Sequence, residues 1–161
     1  MTSTHGKSDR GSRGEFILYS KLVFVTYTRS RINDKEEFHE CLFDSLERSL
    51  ARDWATYNVS VEMFGSKELH KSGIPHYHVV LRFSRKVYWP KARRELSVWI
   101  LVNGHREIDT ESIYIRKKKS EESDAKFLRC VQTYIAKKGD VFGRRMAETE
   151  ATGQRDPLPI L

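Results

Sequence analysis

Two histidines separated by one residue are the strongest chemical feature of the sequence. His76 and His78 lie in the stretch PHYHVVLRF, whose apolar and aromatic composition is typical of a β-strand. Side chains two positions apart on a strand point to the same face, about 6.5 Å apart, so both imidazoles can face one ion. A turn centred near Gly73 would place Glu68, on the preceding strand, opposite this pair. The sequence therefore predicts a metal site formed by Glu68, His76 and His78.

This set of donor groups favours a reactive metal ion. Two imidazoles and one carboxylate leave positions open for water or a phosphate oxygen, and mixed nitrogen and oxygen ligands suit Mn²⁺ or Mg²⁺ as well as Zn²⁺. The plainer interpretation is a pair of half-exposed strand histidines. Two further candidate ligands are Glu62, which has the same strand parity as Glu68, and His70, whose turn position favours a solvated side chain.

A tyrosine followed three residues later by a lysine is the second chemical feature. Tyr134 and Lys137 lie in the stretch TYIAKKGD, and residues at i and i+3 share a helix face. A free tyrosine has a pKa of about 10, and it needs a polarised phosphate or a nearby cation before it can act as a nucleophile. On spacing alone, Tyr134 is more simply a packing residue. Together with a metal site, the pair becomes a candidate for catalysis.

The elements that must position these residues are predicted in the order strand, helix, strand, strand, helix, strands, helix. In the first predicted helix, Phe38, Leu42, Leu46 and Leu50 recur at intervals of four and form one apolar stripe. The whole order predicts an α+β fold, in which a central antiparallel sheet of about five strands, RRM-like or ferredoxin-like, is flanked by helices. Strands are predicted at 21–28, 57–69, 76–84, 98–102 and 108–116, and helices at 35–54, from Pro90 onward and at 120–138.

The length and charge suggest one basic domain. A chain of 161 residues fits a single core, predicted at 20–145, with a disordered arm at 1–19 and a tail or truncated linker at 146–161. The formal net charge of +7 favours phosphate backbones or anionic membrane surfaces. No apolar run approaches the roughly 20 residues that span a bilayer. Charge alone does not choose between a nucleic acid and a membrane surface.

Basic side chains near the predicted site are candidate contacts to a DNA backbone, although each one alone is more simply a solvated charge. Tyr27 is a further candidate contact, since an aromatic ring can stack on a base. The basic candidates are Arg82, Arg85, Lys86, Arg93, Arg94, Lys117, Lys118 and Lys138.

Three motifs in this order carry a family resemblance. The sequence resembles the replication-initiator endonuclease domain of small circular single-stranded DNA viruses, the HUH nucleases of the geminivirus and genomovirus kind. The stretch from Phe24 to Tyr27 resembles their first motif, Glu68 to His78 their metal motif, and Tyr134 to Lys137 their Tyr-x-x-Lys motif. The resemblance covers about residues 21–143, and the three motifs in order are far more specific than any one alone.

The resemblance implies a site-specific nickase and strand-transferase. It implies that Tyr134 is the nucleophile, that Lys137 assists it, and that Glu68, His76 and His78 hold Mn²⁺ or Mg²⁺. It further implies single-stranded DNA and an origin stem-loop as partners, rolling-circle replication in the host nucleus, no membrane, and self-association in a full-length protein. The chain has no phosphate-binding G-x-x-x-x-G-K-[ST] loop, so a helicase is expected to lie outside it.

Two other functions remain open from the sequence. An RRM-like module that binds single-stranded RNA or DNA without cleaving it has the same order of strands and helices. A zinc hydrolase that activates water would leave Tyr134 with a structural role. The first alternative predicts no need for a divalent ion, and the second predicts cleavage without a covalent protein adduct.

Overall fold

The computed structural model describes residues 15–148, which contain seven strands and three helices. In chain order these are β1 (Leu18–Thr28), α1 (Lys35–Ala51), β2 (Val61–Leu69), β3 (Pro75–Trp89), α2 (Ala92–Leu96), β4 (Trp99–Val102), β5 (His105–Ile108), β6 (Ser112–Lys117), α3 (Asp124–Lys137) and β7 (Asp140–Gly143).

Five of the strands form one antiparallel sheet in the order β6-β1-β3-β2-β7, while β4 and β5 form a separate hairpin. The helix α1 packs on one face of the large sheet and α3 packs on the other. The predicted α+β fold with a central five-stranded antiparallel sheet is therefore confirmed.

The larger core lies between the sheet and α1. The predicted stripe of Phe38, Leu42, Leu46 and Leu50 is buried, and the Phe38 ring stacks on Tyr77 with 3.8 Å between centroids. The helix begins where predicted because the Asp34 side chain accepts a hydrogen bond from the backbone of the first turn. This packing fixes β3, since alternate residues of that strand from Tyr77 to Phe83 enter the larger core.

The smaller core lies between the sheet and α3, and it fixes the helix that carries Tyr134. Phe127, Val131 and Ile135 are buried on this side against apolar residues of β1, β2 and β3. The helix begins four residues later than the sequence pattern predicts, because Ser123 rather than Ser120 is the N-cap and accepts a hydrogen bond from the Lys126 amide.

The folded region extends past both predicted boundaries. Leu18 lies in the predicted arm, yet it is fully buried in β1 opposite Trp89. Met146 lies in the predicted tail, yet it is buried, and the Gln132 amide bonds both its backbone N–H and its carbonyl. Short segments of this kind carry too little pattern to be recognised alone. The rest of the arm and tail, residues 1–14 and 149–161, lies outside the described residues.

Two strand predictions also differ from the structure. The predicted strand at 108–116 is divided between β5 and β6, because Asp109 turns inward and accepts hydrogen bonds from Ser30 Oγ and the Arg31 amide. Its burial raises the pKa of the Asp109 carboxyl, and the two hydrogen bonds oppose that rise. The sequence pattern predicts no strand where β7 lies, since these four residues become a strand only by pairing with β2.

No helix within residues 15–148 is long and apolar enough to cross a membrane.

Substitution of Gly143 by alanine is expected to destabilise the fold. Gly143 has φ +79°, and a Cβ there would lie 2.4 Å from the Met63 carbonyl oxygen, so the end of β7 would have to move. We expect the free energy of unfolding to fall by about 2 kcal/mol more than for Gly104→Ala. Gly104 is the matched control because its φ is +82° and no atom lies within 4 Å of its added Cβ. Equal losses in urea denaturation would show that steric crowding at Gly143 is unimportant.

Candidate active site

The candidate site lies where one row of residues crosses the α3 face of the sheet. Thr26 of β1 and Ser66 of β2 are the register partners of His78, and Tyr114 of β6 is the next partner of Thr26. Directly paired residues point to the same side of a sheet. His78 is therefore at the centre of the row, and it is 6 % exposed because α3 covers this side.

A continuous polar chain joins β3, β2 and the end of α3. His78 Nε2 lies 2.7 Å from Glu68 Oε1, and Lys138 Nζ donates to Glu68 Oε2 at 3.1 Å. The pKa of the Glu68 carboxyl is lowered, first by its hydrogen bond with His78 and then by Lys138, against an opposing effect of burial. The pKa of Lys138 is raised chiefly because its ammonium donates to Glu68. Glu68 thus stays ionised between two donors.

Tyr134 lies over this polar chain. Its ring centroid is 5.4 Å from that of His78 and 6.0 Å from that of Phe24, both in edge-to-face geometry. Lys138 Nζ lies 4.8 Å from the centre of the same ring. Tyr134 is nevertheless 42 % exposed. An exposed phenol beside a histidine, a carboxylate and an ammonium is accessible to a ligand from solvent.

Two residues of the first motif position this site. Thr26 Oγ1 lies 3.2 Å from His78 Nδ1, so a hydroxyl occupies the ring nitrogen that points away from Glu68. Such a partner fixes the orientation of an imidazole and leaves Nε2 facing a metal ion. Phe24 packs against both the His78 and the Tyr134 rings. The motif therefore acts through its even-numbered residues, which lie on the α3 side.

His76 lies opposite Glu68 in the β2–β3 register, on the same side as His78. Its Nδ1 accepts a hydrogen bond of 3.1 Å from the Arg29 amide, and Arg29 has φ 54°, a left-handed conformation that turns this N–H toward the ring. Burial is the first cause that lowers the pKa of His76, and the charges of His70 and His78 add to it. A neutral imidazole is the form that binds metals.

The three predicted ligands are neighbours, but they are not arranged as a finished metal site. Within residues 15–148, no group of three or more His, Cys, Asp or Glu side chains has metal-binding geometry. Glu68 and His78 satisfy each other by a hydrogen bond, and His76 is held by Arg29. The donor chemistry fits a divalent ion, since two imidazoles and an ionised carboxylate come from adjacent positions of one hairpin. Binding would require a divalent ion to replace the contact between Glu68 and His78.

The two lysines at the end of α3 have different surroundings. Lys137, the predicted catalytic lysine, is exposed in the last turn. Lys138, predicted only as a DNA contact, is the residue that reaches Glu68 and the Tyr134 ring. The i, i+3 spacing could not distinguish them because α3 ends at this point and Gly139, with φ 91°, turns the chain.

Three candidates from the sequence lie outside the polar chain of His78, Glu68 and Lys138. Tyr27, a predicted DNA contact, is fully buried in the α1 core and donates from its hydroxyl to the Leu96 carbonyl, so this prediction is wrong. Its odd position on β1 directs it away from the α3 face. Glu62 is the register partner of Arg82, four positions from the pair of Ser66 and His78, and is not a candidate ligand. His70 is exposed in the turn, beside Ser72.

The predicted basic contacts are spread over the domain, and many have protein partners. Those partners are Glu62 and the Ala147 carbonyl for Arg82, Asn58 for Arg85, the Tyr19 ring for Lys86, the Ile113 carbonyl for Arg93, the Phe16 ring for Lys117, and Glu122 and Asp124 for Lys118, while Arg94 is exposed. Of the basic candidates, Lys138 is the one that joins Glu68 and Tyr134.

Sequence reasoning did not assign roles to Thr26, Arg29 or Ser66. The pairing of β1 with β3, which brings Thr26 and Arg29 to the histidines, joins residues about fifty positions apart and leaves no local signal. Ser66 is fully buried beside His78 with no hydrogen-bond partner for its hydroxyl.

Comparisons with known proteins identify no family for the chain. A scan against protein-family models gave no match, and a search of curated proteins gave none either.

Proposed function

We propose that this protein is a metal-dependent, site-specific endonuclease and strand-transferase that cuts single-stranded DNA through a tyrosine nucleophile. One observation carries the proposal: the half-exposed Tyr134 ring packs against His78, whose imidazole contacts the ionised Glu68. A packing tyrosine needs no such polar surroundings. A tyrosine that attacks a phosphate needs both access and groups that handle negative charge.

The proposed reaction is a phosphoryl transfer to Tyr134. The phenol loses its proton, and its oxygen forms a bond to the scissile phosphorus while the bond from phosphorus to the 3′-oxygen breaks. The leaving oxygen takes up a proton and becomes a free 3′-hydroxyl. The product is a 5′-phosphotyrosyl link, which is still a phosphodiester, so a later hydroxyl can reverse the step and rejoin the strand. This chemistry suits the initiation and termination of rolling-circle replication at a viral origin in the host nucleus.

Glu68, His76 and His78 are the residues that would hold Mn²⁺ or Mg²⁺. Bound there, the ion acts as a Lewis acid that draws charge from a phosphate oxygen. Thr26 keeps the His78 ring in place, and the Arg29 amide does the same for His76. Phe24 packs edge to face against the Tyr134 ring. These residues orient the reacting groups without contributing charge.

The two lysines divide the electrostatic work. Lys138 donates to Glu68 and lies against Tyr134, so its ammonium would be close to a phosphate that Tyr134 attacks. Lys137, exposed on the last turn of the same helix, supplies a second cation for the DNA strand. Lys138 Nζ, 4.8 Å from the centre of the Tyr134 ring, is the ammonium that lies beside the phenol.

The decisive test is a denaturing gel. The protein is incubated with Mn²⁺ and a pool of single-stranded oligonucleotides that carry viral origin loops, and one labelled band is expected to shift to the mass of a covalent protein adduct. Nicking without an adduct would instead identify a hydrolase that uses metal-activated water. Binding without nicking at any tested site would favour the RRM-like module, which leaves the cluster of His78, Glu68, Lys138 and Tyr134 without a role.

The ammonium of Lys138 is expected to weaken the binding of a metal ion at Glu68. Lys138 Nζ shares the Glu68 carboxylate that a divalent ion would bind, so Lys138→Gln is expected to strengthen Mn²⁺ binding severalfold. Lys137→Gln is the matched control, because it removes the same charge from the neighbouring exposed residue. Isothermal titration with Mn²⁺ measures both. Weaker binding in Lys138→Gln, or an equal gain in both variants, would contradict competition for Glu68.

A further inference from the structure

Two exposed tyrosines contact each other edge to face at the end of the sheet opposite the candidate site. Tyr19 of β1 and Tyr88 of β3 are register partners, with ring centroids 6.4 Å apart at an interplanar angle of 77°. They are 61 % and 57 % exposed. Two large aromatic rings left in solvent side by side form a platform on which flat groups can stack.

This platform, defined by Tyr19, Tyr88 and Lys86, carries positive charge. Lys86 Nζ lies 4.8 Å from the centre of the Tyr19 ring. An ammonium at an aromatic surface is the combination that binds single-stranded nucleic acid, since the ring stacks on a base while the cation attracts the phosphate. Stacking does not depend on sequence, because every base has a π-face.

The platform lies on the same side of the sheet as His78. Val87 and Trp89 are buried in the core on the α1 side, so Tyr88 between them points to the opposite side. Tyr19 shares this orientation through its pairing with Tyr88. That opposite side carries α3, His78 and Tyr134.

The strand β6 runs beside the part of β1 that leads from the site toward the platform. The helix α3 packs mainly over β2, β3 and β7, which leaves β6 less covered. Two exposed side chains of β6, Tyr114 and Arg116, are the register partners of Thr26 and Phe24 and thus lie on the α3 side. The strand ends within the basic run RKKK, whose first residue is Arg116. A strand of DNA that leaves Tyr134 along this side would meet the Tyr114 ring and then the Arg116 guanidinium before it reaches Tyr19.

The spacing fits a stretch of single-stranded DNA. Thr26, in the row of the site, and Tyr19 are seven residues apart on β1, which corresponds to roughly 23 Å of strand. At the roughly 3.4 Å between stacked bases, about seven nucleotides span this distance.

We propose that Tyr19, Tyr88 and Lys86 form a second contact for single-stranded DNA, which holds the strand about seven nucleotides from the point of cleavage. Two parts of this proposal rest on the proposed function: that the ligand is DNA, and that its strand runs toward Tyr134. The stacking surface itself stands on its own geometry. The contact gives affinity and a fixed path, and it takes no part in the chemistry at Tyr134.

Binding of labelled thymidine oligonucleotides without metal tests the proposal. The wild type is expected to gain affinity as length grows from dT6 to dT14. The double variant Tyr19→Ala, Tyr88→Ala is expected to lose about tenfold in affinity for dT20 and to stop gaining beyond about dT8. The double Phe variant at these positions is expected to keep wild-type binding, since stacking needs the ring and not the hydroxyl. Phe43→Ala, an exposed aromatic residue on α1, is the matched control and should leave binding unchanged.

Either of two results would contradict the proposal. One is a double Ala variant that binds dT20 as tightly as the wild type. The other is a double Phe variant that loses as much binding as the double Ala variant. Both tyrosines are exposed, so thermal melting should show an intact fold in each variant. The experiment measures only binding, so its outcome does not depend on whether the protein cleaves DNA. A failure of the proposed cleavage is therefore distinguishable from a failure of this platform.

Discussion

Replacement of Tyr134 by phenylalanine is expected to abolish the covalent adduct with DNA. The variant retains the ring that packs against His78 and Phe24, so only the hydroxyl is removed. If the phenol oxygen is the nucleophile, adduct formation should fall by about 1000-fold or more, the scale seen when a nucleophile is deleted. The rate of adduct formation with a labelled origin oligonucleotide and Mn²⁺ measures this loss. Binding of the same oligonucleotide should stay within about twofold, since phosphate attraction is spread over many cations.

The control for this variant is Tyr114→Phe. Tyr114 is also half-exposed and lies in the same row on the α3 side, two strands from His78. Its hydroxyl has no role in the proposed transfer, so the adduct should form at the wild-type rate. If instead Tyr114→Phe loses the adduct and Tyr134→Phe retains it, the nucleophile is Tyr114. If Tyr134→Phe still nicks DNA without an adduct, water is the nucleophile and the proposed transfer is wrong.

Local patterns predicted the parts of the site that lie within one hairpin. Glu68 and His76 are joined by a short turn around Gly73, whose φ of 87° suits glycine, and their pairing follows from hairpin register. The stripe from Phe38 to Leu50 follows from helical periodicity alone. In both cases the residues that determine the structure are close in sequence.

Long-range pairing determined the rest, and the sequence carried no signal for it. Tyr27 and Thr26 are neighbours in one motif, but the packing of α1 decides that Tyr27 is buried and that Thr26 meets His78. Lys138 rather than Lys137 reaches Glu68, since α3 ends at Lys137 and Lys138 is the C-cap that meets this residue of β2. A periodic pattern gives the face of a residue only within its own element, not which element that face will meet.

Replacement of His78 by alanine is expected to stop cleavage while most DNA binding remains. His78 is the imidazole that contacts Glu68, and its loss removes one of two nitrogen ligands from the proposed metal site. Metal affinity should fall by about 100-fold or more, since even partners outside the ligand shell contribute about 10-fold to 100-fold. Adduct formation at low Mn²⁺ should fall in parallel. His76→Ala should act in the same direction, because its ring lies opposite Glu68 in the register.

His70→Ala separates a ligand effect from a general effect of histidine on this hairpin. His70 is exposed in the turn, with its ring centroid 5.1 Å from that of His76, so it tests proximity without contact to Glu68. It should cleave at the wild-type rate. A His78→Ala variant that melts normally and cleaves at the wild-type rate would remove His78 from the ligand set. If DNA binding by His78→Ala instead falls as far as its cleavage, His78 contacts DNA. The contact between His78 and Glu68 would then orient the DNA strand rather than prepare a metal site.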